Sequence, residues 1–354
     1  MKRVAFPAVG LLVALLGTAV IVVIAGRLVV AYVGRDCATD LCARMVWVDD
    51  HAGRPPTEVG GYLPDPLLGW IPGPNQRPHP EHASRITTDA HSVRGVRPYP
   101  IARGPQPRIV ALGDSYTFGV CVHDEESWPA QLEQQLPGTE VINLGVPGFG
   151  LDQMLLRWER DGLAYKPDVV VLGYIAPDLA RDVASFDFYA KPRFEPDGSG
   201  LRLTGTPVPT PRELLERESG IASRWINYGA RGLHLDQLFN RRTDTALSDE
   251  VARRIIARLI ASAQDVGAKP LVVLLPMEAE LEAFARHYQE PEPFSGACQA
   301  TGTPCFTLTT EVAHFVTGNP GPDYFKCHYR PELHRFVAAC LAERIRPLLP
   351  AAPR

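Results

Sequence analysis

Two kinds of hydrophobic patterning divide the chain. At the amino end no charged side chain occurs from Val4 to Gly26. A helix rises about 1.5 Å per residue, so a run of this length crosses the roughly 30 Å hydrocarbon core of a bilayer. The pattern predicts a transmembrane anchor within residues 1–34. A cleaved signal peptide is the alternative, but its apolar region is about 7–15 residues and ends in a small-x-small site. The stretch "VIAGRLVVAYVG" offers no such site. Lys2 and Arg3 favour a cytoplasmic N-terminus, and Arg27, Arg35 and Arg44 on the far side oppose it.

From Arg108 onward, short apolar runs alternate with helical periods. "RIVALG", "EVINLG", "PDVVVLGY", "KPLVVLLP" and the shorter "CFTL" read as strands. "SWPAQLEQQL" reads as a helix with Ser127 as cap and Pro129 in the first turn. "LDQMLLRWERDGL" places Leu151, Met154, Leu155 and Trp158 at three-four spacing, and "DEVARRIIARLIASAQDVG" and "RPELHRFVAACLAERIRPLL" are longer helices. Unbroken Val/Leu/Ile strands alternating with helices argue a parallel sheet covered on both faces, a three-layer α/β/α domain over residues 108–348. Residues 35–107, rich in Pro, Gly, His and Arg, read as a tether and irregular covering segment. Within it, Leu67, Leu68 and Trp70 are expected to pack on the main domain. An insertion at about 182–248 carries a hairpin around Asp197-Gly198 and a helical piece near Arg212–Glu218. It is too long for an ordinary connection and is expected to shape or lid a site.

Composition narrows the function. The chain has 354 residues, 36 Lys+Arg against 40 Asp+Glu, and no basic stripe interleaved with aromatics, so no nucleic-acid partner is indicated. No phosphate-cradling or dinucleotide loop is present, so no cofactor is expected. His79, His82 and His91 lie in the Pro-rich segment without metal-ligand company, and no metal site is expected. The seven cysteines suit an oxidising compartment if Cys37–Cys42 and Cys298–Cys305 form short-range disulfides. Cys121 and Cys327 make a third candidate pair, which leaves Cys340 buried on the last helix. The alternative is that all seven are small, reduced, buried residues.

A parallel α/β sheet binds ligands at the carboxyl ends of its strands. Ser115 follows the first strand, "NLGVPGFG" (Asn143–Gly150) the second and "GYIAPD" (Gly173–Asp178) the third, while "DYFKCHYRPELH" (Asp323–His334) precedes the last helix. A serine, glycine-turn amides and a histidine are the inventory of acyl transfer: nucleophile, oxyanion donors and general base. Ser115 as the mere cap of the next helix is the alternative, because Ser and Asp are favoured there.

These blocks resemble the SGNH hydrolases, the GDSL family of esterases and lipases, over most of residues 62–348. "GDSYTFG" resembles the nucleophile block and implies Ser115 as nucleophile. "NLGVPGFG" resembles the second block and implies Gly145 as an oxyanion amide beside that of Ser115. "HYRPELH" resembles the terminal block and implies His328 as general base, with His334 the competing histidine. "PDPLLGW" and "KPRF…PDGSGLRLTGTPVP" look like a bacterial, membrane-tethered branch. Two departures stand out. The family's third block ends in Asn-Asp, whose Asn donates to the oxyanion, where this chain has Pro177-Asp178. The family also places an Asp three residues before the catalytic His, where this chain has Phe325. Asp323 is the nearest acid and the candidate to complete a triad; without it the site is a Ser-His dyad. Asp114, Tyr116 and Asp178 are candidate substrate-binding residues.

The expected protein is therefore a membrane-anchored serine esterase with its catalytic domain outside the cytoplasm. Its substrate would be a small ester, a lipid or an O-acylated glycan. An acyltransferase using the same residues and a non-catalytic binding or scaffold protein of the same fold are the alternatives.

Overall fold

The computed structural model describes residues 5–32, 39–54, 56–78, 84–220, 244–286, 298–299 and 301–350, together with Ser223, Asn227 and Gly229. The amino-terminal run is helical: α1 spans Ala5–Tyr32. Its side chains are described only at residues 9–21 and 24–25, and they are almost all exposed. Among the described residues no helix is long and apolar enough to cross a membrane, so the expected span stays an expectation.

The covering segment is more ordered than its composition suggested. Helix α2 (Asp40–His51) starts at Thr39, whose side chain accepts the Cys42 N–H at 3.1 Å, and it buries Cys42, Met45, Trp47 and Val48. Trp47 packs on Tyr189 with ring centroids 4.9 Å apart. Its apolar face was hidden in the sequence by Arg44 within it and by Asp49 and Asp50 directly after it. Strands β1 (Leu63–Asp65) and β2 (Gly69–Ile71) then form a short antiparallel hairpin. Leu68 and Trp70 are fully buried, as expected of packing anchors.

The main sheet is built from β3 (Arg108–Gly113), β4 (Glu140–Asn143), β5 (Val169–Tyr174), and, later in the chain, β8 (Lys269–Leu274) and β9 (Cys305–Thr307). All neighbours are parallel, in the order β4-β3-β5-β8-β9. Every residue of β3 and β5 is buried, which explains why these strands read as unbroken apolar runs. Successive residues feed opposite layers. Val110, Leu112, Val170 and Leu172 join one core; Ile109, Ala111, Val169 and Val171 join the other. The first layer holds α5 (Leu151–Arg160) and α8 (Thr245–Asp265); the second holds α4 (Trp128–Gln135) and α11 (Pro331–Ile345).

The remaining elements are short. α3 (Ser115–Phe118) and α6 (Ala176–Asp182) begin where β3 and β5 end, and α9 (Glu278–Ala285) and α10 (Thr309–Gly318) follow β8 and β9. Turn chemistry placed the hairpin of β6 (Arg193–Asp197) and β7 (Gly200–Thr204) correctly around Asp197-Gly198, and the helical piece is α7 (Pro211–Glu218). Helices α6, α9 and α10 escaped the sequence reading because each is short and half-buried. The middle of the insertion, apart from the three isolated residues named, lies outside the described residues.

The sheet order, 2-1-3-4-5 in strand sequence, reverses direction at the junction of β3 and β5. In open α/β sheets that reversal opens a crevice at the carboxyl ends of the strands.

Candidate active site

β3 stops at Gly113, where a side chain is impossible: an added Cβ would lie 2.5 Å from the Gly173 carbonyl of β5 and closer still to the Thr117 hydroxyl. The next residue caps α3. Asp114 accepts the Tyr116 N–H at 2.9 Å, so the acid, not the serine, satisfies the helix start. Ser115 becomes the first helical residue, and its Oγ is free for other partners. His328, 213 positions later in the loop before α11, brings Nε2 to 2.9 Å from Ser115 Oγ. Ser115 Oγ also lies 3.2 Å from Asp114 Oδ2.

The covering segment holds this turn from outside. Arg94, 2 % exposed, pairs with Asp124 at 3.0 Å and donates to the carbonyls of Phe118, Gly119 and Val122 at the end of α3. Trp70 Nε1 donates to Pro147 O at 2.9 Å, clamping the loop after β4. The role of Arg94 was not visible in the sequence, since a lone Arg in an irregular segment carries no periodic signal; the packing of Trp70 was expected, its hydrogen bond to the Pro147 carbonyl was not.

In the loop after β4 the amide of Gly145, the expected oxyanion donor, is already engaged. The Gly145 N–H donates to Asn143 Oδ1 at 3.0 Å, and Asn143 Nδ2 donates to Thr117 O at 3.0 Å. Gly145 is a packing glycine, since a Cβ there would lie 2.6 Å from the Phe118 nitrogen. Of the two other glycines of the block, Gly150 donates its N–H to Gln153 Oε1 at 3.3 Å, and Gly148 lies at φ +79°. Among the described residues, its amide and that of Ser115 have no hydrogen-bond partner.

Beneath the serine lies a buried ionic group. Arg181 reaches Asp178 Oδ1 at 2.5 Å, Asp114 Oδ2 at 3.4 Å and Asp187 at 3.5 Å. Asp178 Oδ2 also accepts the Ile175 N–H at 3.0 Å, at the start of α6. Burial pushes both Asp114 and Asp178 above the ordinary carboxylate range; Arg181 pulls each back, and Asp114 pushes Asp178 up further. Burial opposes the charge on Arg181, but Asp178 and then Asp114 hold its pKa above the ordinary value. Asp114 and Asp178, both expected from sequence to bind substrate, have no exposed surface and are engaged with Arg181. Tyr116, the third such candidate, is 7 % exposed and lies 4.9 Å from the His328 ring and 4.7 Å from that of Tyr329.

Burial lowers the His328 pKa, while the Asp114 charge raises it. Among the described residues no carboxylate hydrogen-bonds to this ring. Asp323 is exposed, and its Oδ1 accepts the Phe325 N–H at 3.2 Å rather than reaching His328. His328 Nδ1 instead faces Cys327 Sγ at 3.8 Å. The competing histidine, His334, is fully buried; it accepts the Trp128 N–H at 3.1 Å, and burial lowers its pKa to about 3. It joins α11 to α4 and does not reach the serine.

The disulfides are Cys121–Cys327 and Cys298–Cys305, with Cys340 free and buried. Cys42 is disulfide-bonded as well; its expected partner Cys37 lies outside the described residues. Among the described residues, Cys121, Cys327 and His328 bring donor atoms within 4.8 Å of one another. Both sulfurs are tied in the disulfide and offer no thiolate. His79 and His82 lie outside the described residues, and His91 is exposed. A cavity of about 570 Å³ between Pro107, Leu136, Thr139 and Arg346 lies at the amino ends of the strands, away from Ser115.

The arrangement joins a hydroxyl, an imidazole and unpartnered amides at the crevice of a doubly wound sheet, which is the equipment of acyl transfer. Comparison with known proteins agrees. Residues 111–295, more than half of the chain, match the model of the GDSL-like Lipase/Acylhydrolase family. The chain belongs to that family, which sets it among the lipases and acylhydrolases. Solved structures similar to it include the lipase/acylhydrolase from Enterococcus faecalis, at 16% identity and a TM-score of 0.39, covering 70% of this chain and 100% of that one. An acetyl xylan esterase is also 16% identical with a TM-score of 0.39, covering 67% of this chain and 99% of its own. An alpha/beta hydrolase enzyme from the metagenome of Lake Arreo, Spain, is 13% identical with a TM-score of 0.43, covering 70% and 99%. The comparison with curated proteins finds no match.

Proposed function

We propose that the protein is a serine ester hydrolase working through a Ser115–His328 dyad. The carrying observation is the 2.9 Å contact between Ser115 Oγ and His328 Nε2 at the crevice of the sheet. Ser115 Oγ attacks the ester carbonyl carbon while His328 Nε2 takes its proton. The carbonyl oxygen becomes an oxyanion that the amides of Ser115 and Gly148 are free to bind. His328 then protonates the departing alkoxide, and water repeats the sequence to release the acid and restore the serine. The Asp114 carboxylate, bonded to Ser115 Oγ, favours the imidazolium formed midway.

The substrate class we assign is an O-acyl ester of a small alcohol, a lipid or a glycan. The uncharged stretch Val4–Gly26 and the disulfides support an anchored, extracytoplasmic domain. Transfer of the acyl group to a sugar hydroxyl would use the same residues. The non-catalytic reading retains two observations, the exposed Pro177 in place of an amide donor and the absence of a carboxylate on His328.

One experiment separates these readings. A fluorophosphonate probe is added to the full chain and the modified residue mapped, alongside hydrolysis of p-nitrophenyl acetate. Labelling at Ser115 is expected, with loss of turnover in Ser115→Ala and His328→Ala by up to about 10⁶-fold. Absence of both labelling and hydrolysis across a broad ester panel would establish the binding-protein reading instead.

A further inference from the structure

We propose that the Cys121–Cys327 disulfide is the positioning element of the His328 base, supplying the orientation that a carboxylate supplies in a three-residue triad. The inference rests on the dyad reading above. The bond joins the segment just after α3 to the residue immediately before His328, across 206 positions. It is therefore a covalent link between the piece of chain that carries the nucleophile and the piece that carries the base. Cys121 and Cys327 both sit at positive φ, 70° and 76°, a region that side-chain-bearing residues rarely adopt unless their surroundings hold them there.

Two buried tyrosines, Tyr324 and Tyr329, anchor the loop around His328 to the core, Tyr329 donating its hydroxyl to Pro276 O at 2.5 Å, whereas the stretch directly before His328 is exposed and is held by the disulfide. Residues 317–323, 326 and 327 are exposed, and no regular element runs between Gly318 and Pro331. The ring nevertheless has to present Nε2 unprotonated to Ser115, which places its proton on Nδ1. Nδ1 points at Cys327 Sγ, and sulfur is too weak an acceptor to steer an imidazole by hydrogen bonding alone. Steering falls to the backbone, which the disulfide fixes, and to the Tyr116 ring packed on the other side. The groups that act on the ring are Ser115 and Tyr116 from α3, the cap residue Asp114, the backbone of Cys327, to which the ring hydrogen-bonds, and Arg181 from α6. None is a carboxylate bonded to Nδ1. The second disulfide provides an internal control, since Cys305 opens β9 at the amino edge of the sheet, opposite the site.

The test compares three forms of the full chain: wild type, the double variant Cys121→Ser/Cys327→Ser, and the control Cys298→Ser/Cys305→Ser. Wild type is also assayed after treatment with dithiothreitol, which gives two electrons and two protons to the S–S bond and is itself oxidised to its cyclic disulfide. Two readouts are taken: kcat and KM on p-nitrophenyl acetate, and the titration of His328 by NMR on histidine-labelled protein, assigned with His328→Gln. Opening Cys121–Cys327 is expected to lower kcat about tenfold to a hundredfold, the scale of a small misplacement of a catalytic group. KM should stay within about twofold, because substrate binding is not the lost interaction. The His328 pKa should rise toward its ordinary value as the ring leaves its buried seat, and the control should change neither. An unchanged His328 titration after opening the bond overturns the proposal, whatever happens to turnover. The dyad reading fails separately, if Ser115→Ala retains the wild-type rate, and the titration still decides the role of the disulfide.

Discussion

Replacing Arg181 with Met removes the guanidinium and keeps most of the side-chain volume. In the native protein that guanidinium lies 2.5 Å from Asp178 and 3.4 Å from Asp114, two carboxylates with no exposed surface. Breaking a buried ion pair by removing one partner costs about 3–5 kcal/mol. At about 2.1 cal/mol/K of unfolding entropy per residue, a 354-residue chain has an entropy of unfolding of about 0.74 kcal/mol/K, so Tm should fall by about 4–7 °C. The loss should depend on pH, with a sign set by the carboxylates. Burial raises both pKa values in the folded state, so the folded protein holds protons there that the unfolded chain has released, and stability falls as pH rises through that interval. Arg181 holds both values down. Without it the interval extends upward, and the penalty should be smaller near pH 5 than near pH 8. Thermal unfolding followed by circular dichroism at both pH values checks this. An equal loss at both, or a loss below about 2 °C at pH 8, would show that the guanidinium does not hold buried negative charge.

Three further outcomes are expected. The kcat/KM profile on an aryl ester should rise with pH through a midpoint below the ordinary histidine value of 6.5, because burial lowers the His328 pKa and the neutral ring is the base; a midpoint above that value refutes the assignment. Pro177→Asn should raise turnover by about tenfold, a part of the 10²–10³ that one oxyanion donor contributes, and steady-state kinetics showing no gain would mean the donors present suffice. Gly145→Ala should destabilise α3 and its loop, since the added Cβ would meet the Phe118 nitrogen at 2.6 Å; an unchanged Tm in a thermal melt would contradict the packing role.

The order of strands and helices from Arg108 onward and the hairpin at Asp197-Gly198 were legible in the chain itself, while Cys121 and Cys327 were only a candidate pair until the fold brought them together. Hydrophobic periodicity and turn residues are local signals, and a run such as "RIVALG" has one burial state compatible with it. The nucleophile block was equally legible, because a strand, a glycine and a helix start must be consecutive in sequence. What the sequence left undecided was every choice between neighbours. Asp114 or Ser115 could cap α3, Gly145 could offer a free amide or serve only as a turn glycine, and His328 or His334 could meet the serine. Only distances across the fold separate these alternatives: His334 turns into the α4–α11 interface, and Asn143 occupies the Gly145 amide. Arg94 and Arg181 were invisible for the same reason. An arginine in sequence reads as surface charge, and it becomes a buried support only when tertiary packing closes carbonyls and carboxylates around it.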